Sequence, residues 1–171
     1  MKERTEMVTL KGNPVTLAGE MPAIGQVAPD CDLVGNDLSP VALRAFRGKV
    51  CILLSVPSLD TAVCDTEARR FNQEAARMGQ DVAVVVVSVD LPFAQQRWCG
   101  AAGVERVLTL SDHRDVAFGK TFGVLIKELR LLARAVFILD RGGVVRYSQL
   151  IPEVTQEPDY EAALAAAADL V

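Results

Sequence analysis

Two uninterrupted apolar segments restrict the folds open to this chain more than any other feature. Residues Val50–Val56 and Val82–Val89 show no regular alternation of apolar and polar side chains, which is typical of strands covered on both faces. Between them, Thr66–Met78 places apolar residues at helical spacing and is followed by Gly79, a common helix terminator. Because parallel strands are joined by crossover helices, this order predicts a β-α-β unit and an α/β fold.

The remaining pattern extends this unit in both directions. Apolar runs that flank glycine-containing turns predict hairpins, and runs with helical spacing predict helices. Together with the β-α-β unit they make a mixed central sheet flanked by helices, the thioredoxin-like arrangement, in a single domain of residues 1–171. The predicted elements are a hairpin at Met7–Leu17 in an N-terminal extension of residues 1–20, a strand at Cys31–Val34, helical turns at Ser39–Phe46 and Asp115–Phe118, a helix at Phe93–Cys99 closed by Gly100, a strand at Val107–Leu110, a hairpin of Arg134–Asp140 and Val144–Leu150, and an alanine-rich helix from Asp159 to Leu170.

Composition and charge narrow the classes of function. Half of the residues are apolar and 23% are charged, so the chain can form a core and disorder is not expected. The net charge of −4 argues against general nucleic-acid binding. No apolar run is long enough to span a membrane, and the first residues lead into no signal-peptide core, so a cytoplasmic location is expected.

The four cysteines, Cys31, Cys51, Cys64 and Cys99, are widely spaced, and no two form a Cys-x-x-Cys pair. The chain contains one histidine, His113, and no closely spaced ligand pairs, so a structural zinc site is not expected. Each cysteine is therefore either an inert core thiol or a redox centre. Cys51 lies within a predicted central strand and is expected to be packed. Cys31 lies between two aspartates, which raise its pKa and disfavour its thiolate.

Cys64 ends the stretch Pro57–Cys64, which connects the first buried strand to the following helix. A helix N-terminus presents unpaired N–H groups and the positive end of the helix dipole, and both favour thiolate over thiol. Thr61 has a hydroxyl that can bind the sulfur or a substrate oxygen, and Pro57 lacks an N–H and stiffens the loop. Both residues are also common in ordinary loops and helix caps, and the sequence leaves the two interpretations open.

A reactive thiolate also needs a nearby cation, and the sequence around Cys64 contains no histidine. A Cys-His pair is therefore disfavoured, and His113 is expected to be structural. Arg134 is the alternative cation, because it begins an apolar strand where an unpaired charge is costly, and arginine stays charged at physiological pH. The sequence leaves open a second interpretation, in which Arg134 is a strand-end residue that reaches solvent.

The pattern Pro57-x-x-x-Thr61-x-x-Cys64 resembles the active-site motif of the peroxiredoxins. The wider chain is similar to one subgroup of that family, the bacterial thiol peroxidases, which are described as atypical two-cysteine peroxiredoxins. The resemblance extends from the N-terminal hairpin to the last helix, and several motifs in the same order make it far more specific than one short pattern. These motifs are Ser88–Gln95, Arg97–Gly100, Thr109–Ser111, Ala133–Val136 and Glu157–Leu164.

The resemblance implies a peroxiredoxin fold and a thiol-dependent peroxidase of hydrogen peroxide and organic hydroperoxides, active in antioxidant defence and redox homeostasis. Cys64 would be the peroxidatic cysteine and Cys99 the resolving cysteine, joined in an intramolecular disulfide after a sulfenic acid forms on Cys64. Thr61 and Arg134 would orient the peroxide, and Pro57 would shape and shield the pocket. The resemblance also implies thioredoxin as the reductant, a homodimer, and no metal, haem or flavin cofactor.

A disulfide between Cys64 and Cys99 presents a physical difficulty, because the two cysteines belong to different predicted helices. Their Cα atoms must approach to within about 7 Å. We therefore predict local unwinding near Cys64 and at Arg97–Gly100 during turnover, in a segment that Gly100 and Gly103 make easier to open.

Two other functions remain open. A thiol-disulfide oxidoreductase of the thioredoxin class has a similar fold, but it requires Cys-x-x-Cys at the helix start, where this chain has Thr61-Ala62-Val63-Cys64. A peroxide-sensing redox protein uses the same oxidation of a cysteine to signal, without catalytic turnover.

Overall fold

The computed structural model describes all 171 residues and contains eleven β-strands, four α-helices and one 3-10 helix. None of the helices combines the length and the apolar composition needed to cross a membrane. The strands are β1 Glu3–Leu10, β2 Asn13–Ala18, β3 Asp32–Val34, β4 Pro40–Ala42, β5 Val50–Ser55, β6 Val82–Ser88, β7 Val107–Ser111, β8 Leu125–Ile126, β9 Leu131–Leu132, β10 Ala135–Leu139 and β11 Val145–Leu150. The α-helices are α1 Ala62–Met78, α2 Pro92–Ala102, α3 Ala117–Thr121 and α4 Tyr160–Ala168, and the 3-10 helix is Leu43–Phe46.

A seven-stranded mixed sheet, in the order β11-β10-β5-β6-β7-β3-β4, forms the centre of the molecule. β5, β6 and β7 run parallel, with Leu54 opposite Val86, and β10 lies antiparallel to β5. α1 connects β5 to β6 and α2 connects β6 to β7, as crossovers between parallel strands require. The predicted mixed sheet of the thioredoxin-like arrangement is therefore confirmed. The carboxyl end of β5 leads directly into the segment that carries Cys64.

The predicted N-terminal hairpin is present, and it belongs to a second sheet that the sequence pattern does not reveal. β1 and β2 pair antiparallel, and β8 and β9 extend the sheet in the order β1-β2-β8-β9. The hairpin turn consists of Lys11 and Gly12, which both have positive φ, 50° and 79°, as type I′ turns require. β8 and β9 have two residues each, too few for a strand period to be visible in a sequence.

Alternate residues of the central strands face two separate cores. Ile52 and Leu54 of β5 lie in one core with residues of α1 and α4. Leu53 of β5 and Val85 of β6 lie in the other, which the hairpin, α3 and the second sheet cover. Because consecutive strand residues point to opposite faces, burial of both faces explains why these strands are apolar throughout.

The bounds of two helices differ from the prediction in a way that matters for the site. α1 begins at Ala62, four residues before the predicted segment Thr66–Met78, so Cys64 lies inside the first turn. α2 continues through Gly100 to Ala102, and the next residue, Gly103, has a left-handed φ of 65°. A glycine is tolerated inside a helix, whereas the position after a helix end often requires the positive φ that glycine adopts freely.

Two shorter elements also differ. The predicted helical turn at Ser39–Phe46 is wrong in its first half, because Pro40–Ala42 forms β4 and pairs with β3, and only Leu43–Phe46 is helical. The helical turn predicted at Asp115–Phe118 is displaced toward the C-terminus, because α3 spans Ala117–Thr121.

Candidate active site

Cys64 lies in the first turn of α1, and its side chain is fully buried. Thr61 is the N-cap residue, and its carbonyl accepts the N–H of Asp65 at 3.0 Å. The N–H groups of Val63 and Cys64 have no hydrogen-bond partner, as is usual for the first turn of a helix. The structure thus places a thiol beside unpaired main-chain donors.

Arg134 brings a positive charge directly against the sulfur of Cys64. Its Nη1 and Nη2 atoms each lie 3.4 Å from Cys64 Sγ. The guanidinium also donates from Nη1 to Glu67 Oε2 at 2.5 Å, and from Nε and Nη2 to the carbonyl of Val154 at 3.1 and 2.9 Å. Arg134 is only 1% exposed. The interpretation in which it reaches solvent from a strand end is therefore wrong.

The guanidinium of Arg134 remains charged in this buried position. Burial alone would lower the pKa of Arg134, but the adjacent Glu67 and Cys64 outweigh burial and raise that pKa above its usual range. Burial raises the pKa of Glu67 to about 7, and the Arg134 charge limits this rise. Buried charges persist only when they are paired and hydrogen-bonded. The arrangement thus holds a fixed positive charge 3.4 Å from the sulfur of Cys64.

Thr61 and Pro57 lie in the loop that leads to Cys64. The exposed side chain of Thr61 donates its hydroxyl hydrogen to the Ser58 carbonyl at 2.8 Å, and it makes no capping bond to α1 and none to the sulfur. Because that hydrogen is used, the hydroxyl oxygen is available to accept a hydrogen bond from a substrate O–H. Pro57 is buried and, like any proline, lacks an N–H that would hold water near the thiol.

Asp90 anchors this loop to the neighbouring strand. Its carboxylate accepts hydrogen bonds from Ser58 Oγ at 2.7 Å, from the Leu59 N–H at 2.8 Å and from Ser88 Oγ at 2.7 Å. Asp90 follows β6, which runs parallel to β5, so the loops after the two strands meet at the same edge of the sheet. Sequence reasoning missed this role, although an acidic residue directly after a buried parallel strand is a signal that points to this edge.

Cys99 lies in the third turn of α2 and is partly buried. Its Sγ is 3.4 Å from the hydroxyl oxygen of Thr109 on β7. The preceding Trp98 donates from Nε1 to Asp65 Oδ1 at 2.7 Å, and Asp65 directly follows Cys64. The structure therefore links the immediate neighbours of the two cysteines. Cys64 and Cys99 are free thiols in intact helices, so their disulfide stays a prediction.

The other two cysteines are buried and lack a cationic partner. Cys51 is 2% exposed in β5, and burial raises its pKa to about 12. Burial, followed by the charges of Asp112 and Asp30, raises the pKa of Cys31 to about 12. The flanking aspartates thus act in the predicted direction, but burial is the larger cause. No group of three or more His, Cys, Asp or Glu side chains is arranged to hold a metal ion.

Glu67 and Val154 complete the surroundings of Arg134, and sequence reasoning missed both. Glu67 is fully buried one turn after Cys64, on the apolar face of α1 that also carries Ala68. A charged residue on the apolar face of a helix indicates that it pairs with an opposite charge in the core. Arg134 in an apolar strand indicates the same, so the two residues could have been matched from the sequence. Val154 acts through its main-chain carbonyl, so its side chain carries no signal.

Similarity to known proteins extends over nearly the whole chain. A family profile described as Redoxin matches residues 23–164. The thiol peroxidase of Bacillus subtilis (strain 168) is 54% identical over 164 residues, which cover 96% of this chain and 98% of that protein. The thiol peroxidase of Halalkalibacterium halodurans is 54% identical over 160 residues, covering 94% of this chain and 96% of that protein. The crystal structure of a peroxiredoxin-like protein from Aquifex aeolicus superposes with a TM-score of 0.90 at 44% identity and covers 98% of both chains.

Proposed function

Because this chain belongs to the redoxin family, as one of its bacterial thiol peroxidases, we propose that Cys64 is its peroxidatic cysteine and Cys99 its resolving cysteine. The enzyme reduces hydroperoxides at the expense of thiols. One observation carries the assignment of Cys64: two guanidinium nitrogens of Arg134 lie 3.4 Å from its sulfur. None of the other three cysteines has a cation in hydrogen-bond contact.

In the first step the Cys64 thiolate attacks one oxygen of a hydroperoxide. An S–O bond forms, the O–O bond breaks, and the other oxygen takes a proton and leaves as water or an alcohol. The sulfur is oxidised to a sulfenic acid and the peroxide is reduced. Negative charge thus moves from the sulfur to the leaving oxygen, and donors near both atoms lower the barrier.

The residues around Cys64 supply such donors. Arg134 is held against the sulfur, and the unpaired N–H groups of Val63 and Cys64 lie in the same helix turn. Thr61 presents a hydroxyl oxygen that accepts the O–H of the peroxide and thereby orients it. Fixed donors stabilise a developing charge more than water does, because they are oriented before the reaction begins.

In the second step the thiol of Cys99 attacks the sulfenic sulfur, water leaves, and a Cys64–Cys99 disulfide forms. The Cα atoms must then lie within about 7 Å of each other. Since Cys64 is fully buried in α1 and Cys99 lies inside α2, we propose that the first turn of α1 and the segment Arg97–Gly100 unwind. Gly100 lowers the cost of opening α2, because glycine is a poor helix former.

In the third step an external dithiol reopens the disulfide through a mixed disulfide, and we propose thioredoxin as that dithiol. The resemblance to the bacterial thiol peroxidases supports this choice. We also propose a cytoplasmic location, because the cytoplasm keeps such dithiols reduced. Recovery of the protein outside the cytoplasmic fraction of cells would contradict the proposed location.

Peroxide-dependent turnover with thioredoxin, thioredoxin reductase and NADPH tests these assignments. We expect turnover by the wild type, no oxidation in Cys64→Ser, and in Cys99→Ser a single oxidation of Cys64 without thioredoxin-dependent turnover. Retained turnover in Cys64→Ser would show that Cys64 is not the peroxidatic cysteine. A disulfide between Cys64 and Cys31 in peptide mapping of the oxidised protein would show that Cys99 is not the resolving cysteine. Reduction of insulin without peroxide consumption would instead favour a thiol-disulfide oxidoreductase.

We further propose that the protein is a homodimer. Leu91 and Phe93, at the start of α2, are apolar side chains that are 53% and 63% exposed. Burying such apolar side chains against a second copy removes them from water. Light scattering should show a dimer in the wild type and a monomer in Phe93→Asp. A monomeric wild type at micromolar concentration contradicts this proposal.

A further inference from the structure

The carbonyl of Val154 is the group that sets the direction of the Arg134 side chain. It accepts two hydrogen bonds from the guanidinium, from Nε at 3.1 Å and from Nη2 at 2.9 Å. These bonds orient the edge of the guanidinium so that both Nη atoms reach Cys64 Sγ at 3.4 Å. The guanidinium is planar and its donors point in fixed directions, so a displacement of Val154 displaces the donors on the sulfur.

Val154 is held in turn by the N-terminal hairpin. Its N–H donates to the carbonyl of Thr9 at 2.9 Å, and the N–H of Thr9 donates to the carbonyl of Pro152 at 2.7 Å. Thr9 and Glu153 thereby form an isolated parallel bridge between β1 and the loop after β11. The hairpin and the active-site arginine are therefore two hydrogen bonds apart.

Glu153 is the side chain that fastens this bridge. Its two carboxylate oxygens accept the Thr9 hydroxyl at 2.7 Å and the main-chain N–H groups of Lys11 and Gly12 at 2.9 and 3.0 Å. They also accept the N–H and hydroxyl of Thr155 at 3.2 and 3.0 Å. An amide in place of the carboxylate has only one accepting oxygen and adds donors, so it cannot satisfy this set.

The hairpin turn is shaped to receive this carboxylate. Lys11 adopts φ of 50° and Gly12 φ of 79°, and for Lys11 this left-handed conformation is unfavourable. The two successive amides both point at Glu153. Hydrogen bonds from the Thr9 hydroxyl and then from the Gly12 and Lys11 amides lower the pKa of Glu153 to about 2. The carboxylate is therefore ionised throughout the pH range in which the enzyme works.

We propose that Glu153 is a positioning residue for peroxide reduction, which ties the Val154 carbonyl to the N-terminal hairpin and thereby holds the Arg134 guanidinium on the sulfur of Cys64. The inference rests on the proposed function of Arg134 in activating Cys64. It assigns the hairpin a part in catalysis without any direct contact between the hairpin and the sulfur.

The test compares rates of Cys64 oxidation by hydrogen peroxide at pH 7 in full-length variants that carry Cys99→Ser to isolate the first step, with the sulfenic acid trapped and counted by mass. We expect Glu153→Gln to slow oxidation by roughly tenfold, because small misplacements of a catalytic group are costly. Thr9→Val, which removes one of the five bonds and keeps the strand shape, should slow it by about two- to threefold. Glu128→Gln is the matched control, because Glu128 accepts the Thr16 N–H of the same hairpin and should leave the rate unchanged.

A double-mutant cycle separates positioning from a general loss of structure. If Glu153 acts through Arg134, then Glu153→Gln should cause no further slowing in an Arg134→Lys background. An equal slowing in both backgrounds would overturn the inference, as would a wild-type rate in both Glu153→Gln and Thr9→Val. Thr9→Val keeps the test valid if Glu153→Gln does not fold. If Arg134→Lys alone leaves the rate of Cys64 oxidation unchanged, the proposed function of Arg134 is wrong. If Arg134→Lys slows this oxidation but neither Glu153→Gln nor Thr9→Val does, the function of Arg134 stands and only the positioning role of Glu153 is wrong.

Discussion

The surroundings of Cys64 and Cys99 differ in almost every physical respect. Cys64 is fully buried, with a charged guanidinium against its sulfur and unpaired N–H groups in its own helix turn. Cys99 is partly exposed, and its sulfur has one hydrogen-bond contact, with the hydroxyl of Thr109 at 3.4 Å. A sulfur hydrogen bond to a neutral hydroxyl is weak compared with one to a guanidinium.

This difference shows that the two halves of the proposed cycle require opposite properties. Attack on a peroxide requires donors that are fixed before the reaction, and three partners hold Arg134 in place. Disulfide formation requires that the same region opens, and opening starts where few contacts must be broken. The bond between Trp98 and Asp65 joins the two regions, so it sets part of the cost of passing from one state to the other.

The largest effect is expected from Arg134→Lys, which keeps a positive charge and loses the planar guanidinium. An ammonium cannot contact the sulfur through two nitrogens while it also binds Glu67 and the Val154 carbonyl. We expect the rate of Cys64 oxidation by hydrogen peroxide to fall by about 100-fold, in the range found for loss of a fixed donor at a reacting atom. Alkylation of Cys99 should proceed at the wild-type rate.

Arg106→Lys is the matched control for this prediction. Arg106 is half-buried and donates to the carbonyls of Gly79 and Val82, so its replacement removes a comparable set of backbone hydrogen bonds away from Cys64. Its rate of Cys64 oxidation should match the wild type. Equal slowing in both variants would mean that the guanidinium at Cys64 acts only through stability.

A smaller effect is expected from Glu67→Gln, which should change how the free energy of unfolding depends on pH. The pKa of Glu67 is about 7 in the folded protein against an ordinary value of 4.5, so between these pH values the folded state binds more protons than the unfolded state. The free energy of unfolding of the wild type should therefore fall as pH rises from about 4.5 to 7, by up to about 1.4 kcal/mol per pH unit.

Glu67→Gln removes this titration, so urea unfolding of both proteins at pH 5, 6, 7 and 8 isolates it. The difference between wild type and variant should decline up to about pH 7 and become constant above it. A difference that grows with pH would mean that the Arg134 charge outweighs burial at Glu67 and lowers its pKa below the ordinary value.

Much of the fold follows from local rules that can be applied to the sequence. The continuous apolar runs predict β5 and β6 because strands covered on both faces have no polar side, and glycine at the hairpin turn predicts β1 and β2. β8 and β9 are not predictable in this way, since strands of two residues are defined by pairing with the hairpin and not by a period. The start of α1 is missed because the apolar positions at helical spacing begin only at Ala68, whereas the helix begins at Ala62.

The candidate site likewise has residues that can be predicted from the sequence and contacts that cannot. Cys64 and Arg134 are identifiable from the sequence, because a thiol at a helix start and a charge in an apolar strand are local anomalies. The bonds of Arg134 to Glu67 and Val154 join segments 67 and 20 positions apart along the chain, and only the folded chain specifies them. The side-chain carboxylate of Glu153 accepts main-chain N–H groups of Lys11 and Gly12 that lie more than 140 positions away along the chain, and the sequence gives no indication of these bonds.

The smallest effect is expected from Trp98→Phe, which keeps an aromatic ring in the core and removes only the N–H that binds Asp65. The acceptor is a partly exposed carboxylate, so this hydrogen bond contributes about 1.5 kcal/mol, the lower end for bonds to charged groups, and its loss should lower the cost of opening by that amount. We expect the Cys64–Cys99 disulfide to form roughly tenfold faster after oxidation, while the rate of the first oxidation stays unchanged. Quenched-flow sampling and intact mass measure the two steps separately, without tryptophan fluorescence.

Arg97→Gln provides the control for Trp98→Phe, because the Arg97–Asp60 pair joins the same two segments at 3.7 Å but is largely exposed. Exposed ion pairs contribute little, so this variant should form the disulfide at nearly the wild-type rate. If Trp98→Phe also leaves the rate of disulfide formation unchanged, or lowers it, then the helices open without breaking the Trp98–Asp65 hydrogen bond. The difference between a fixed Cys64 and a mobile Cys99 would then have to arise within α2 alone. If instead Trp98→Phe slows the first oxidation, the indole bond belongs to the rigid region, because its loss would then disturb the helix turn that carries Cys64.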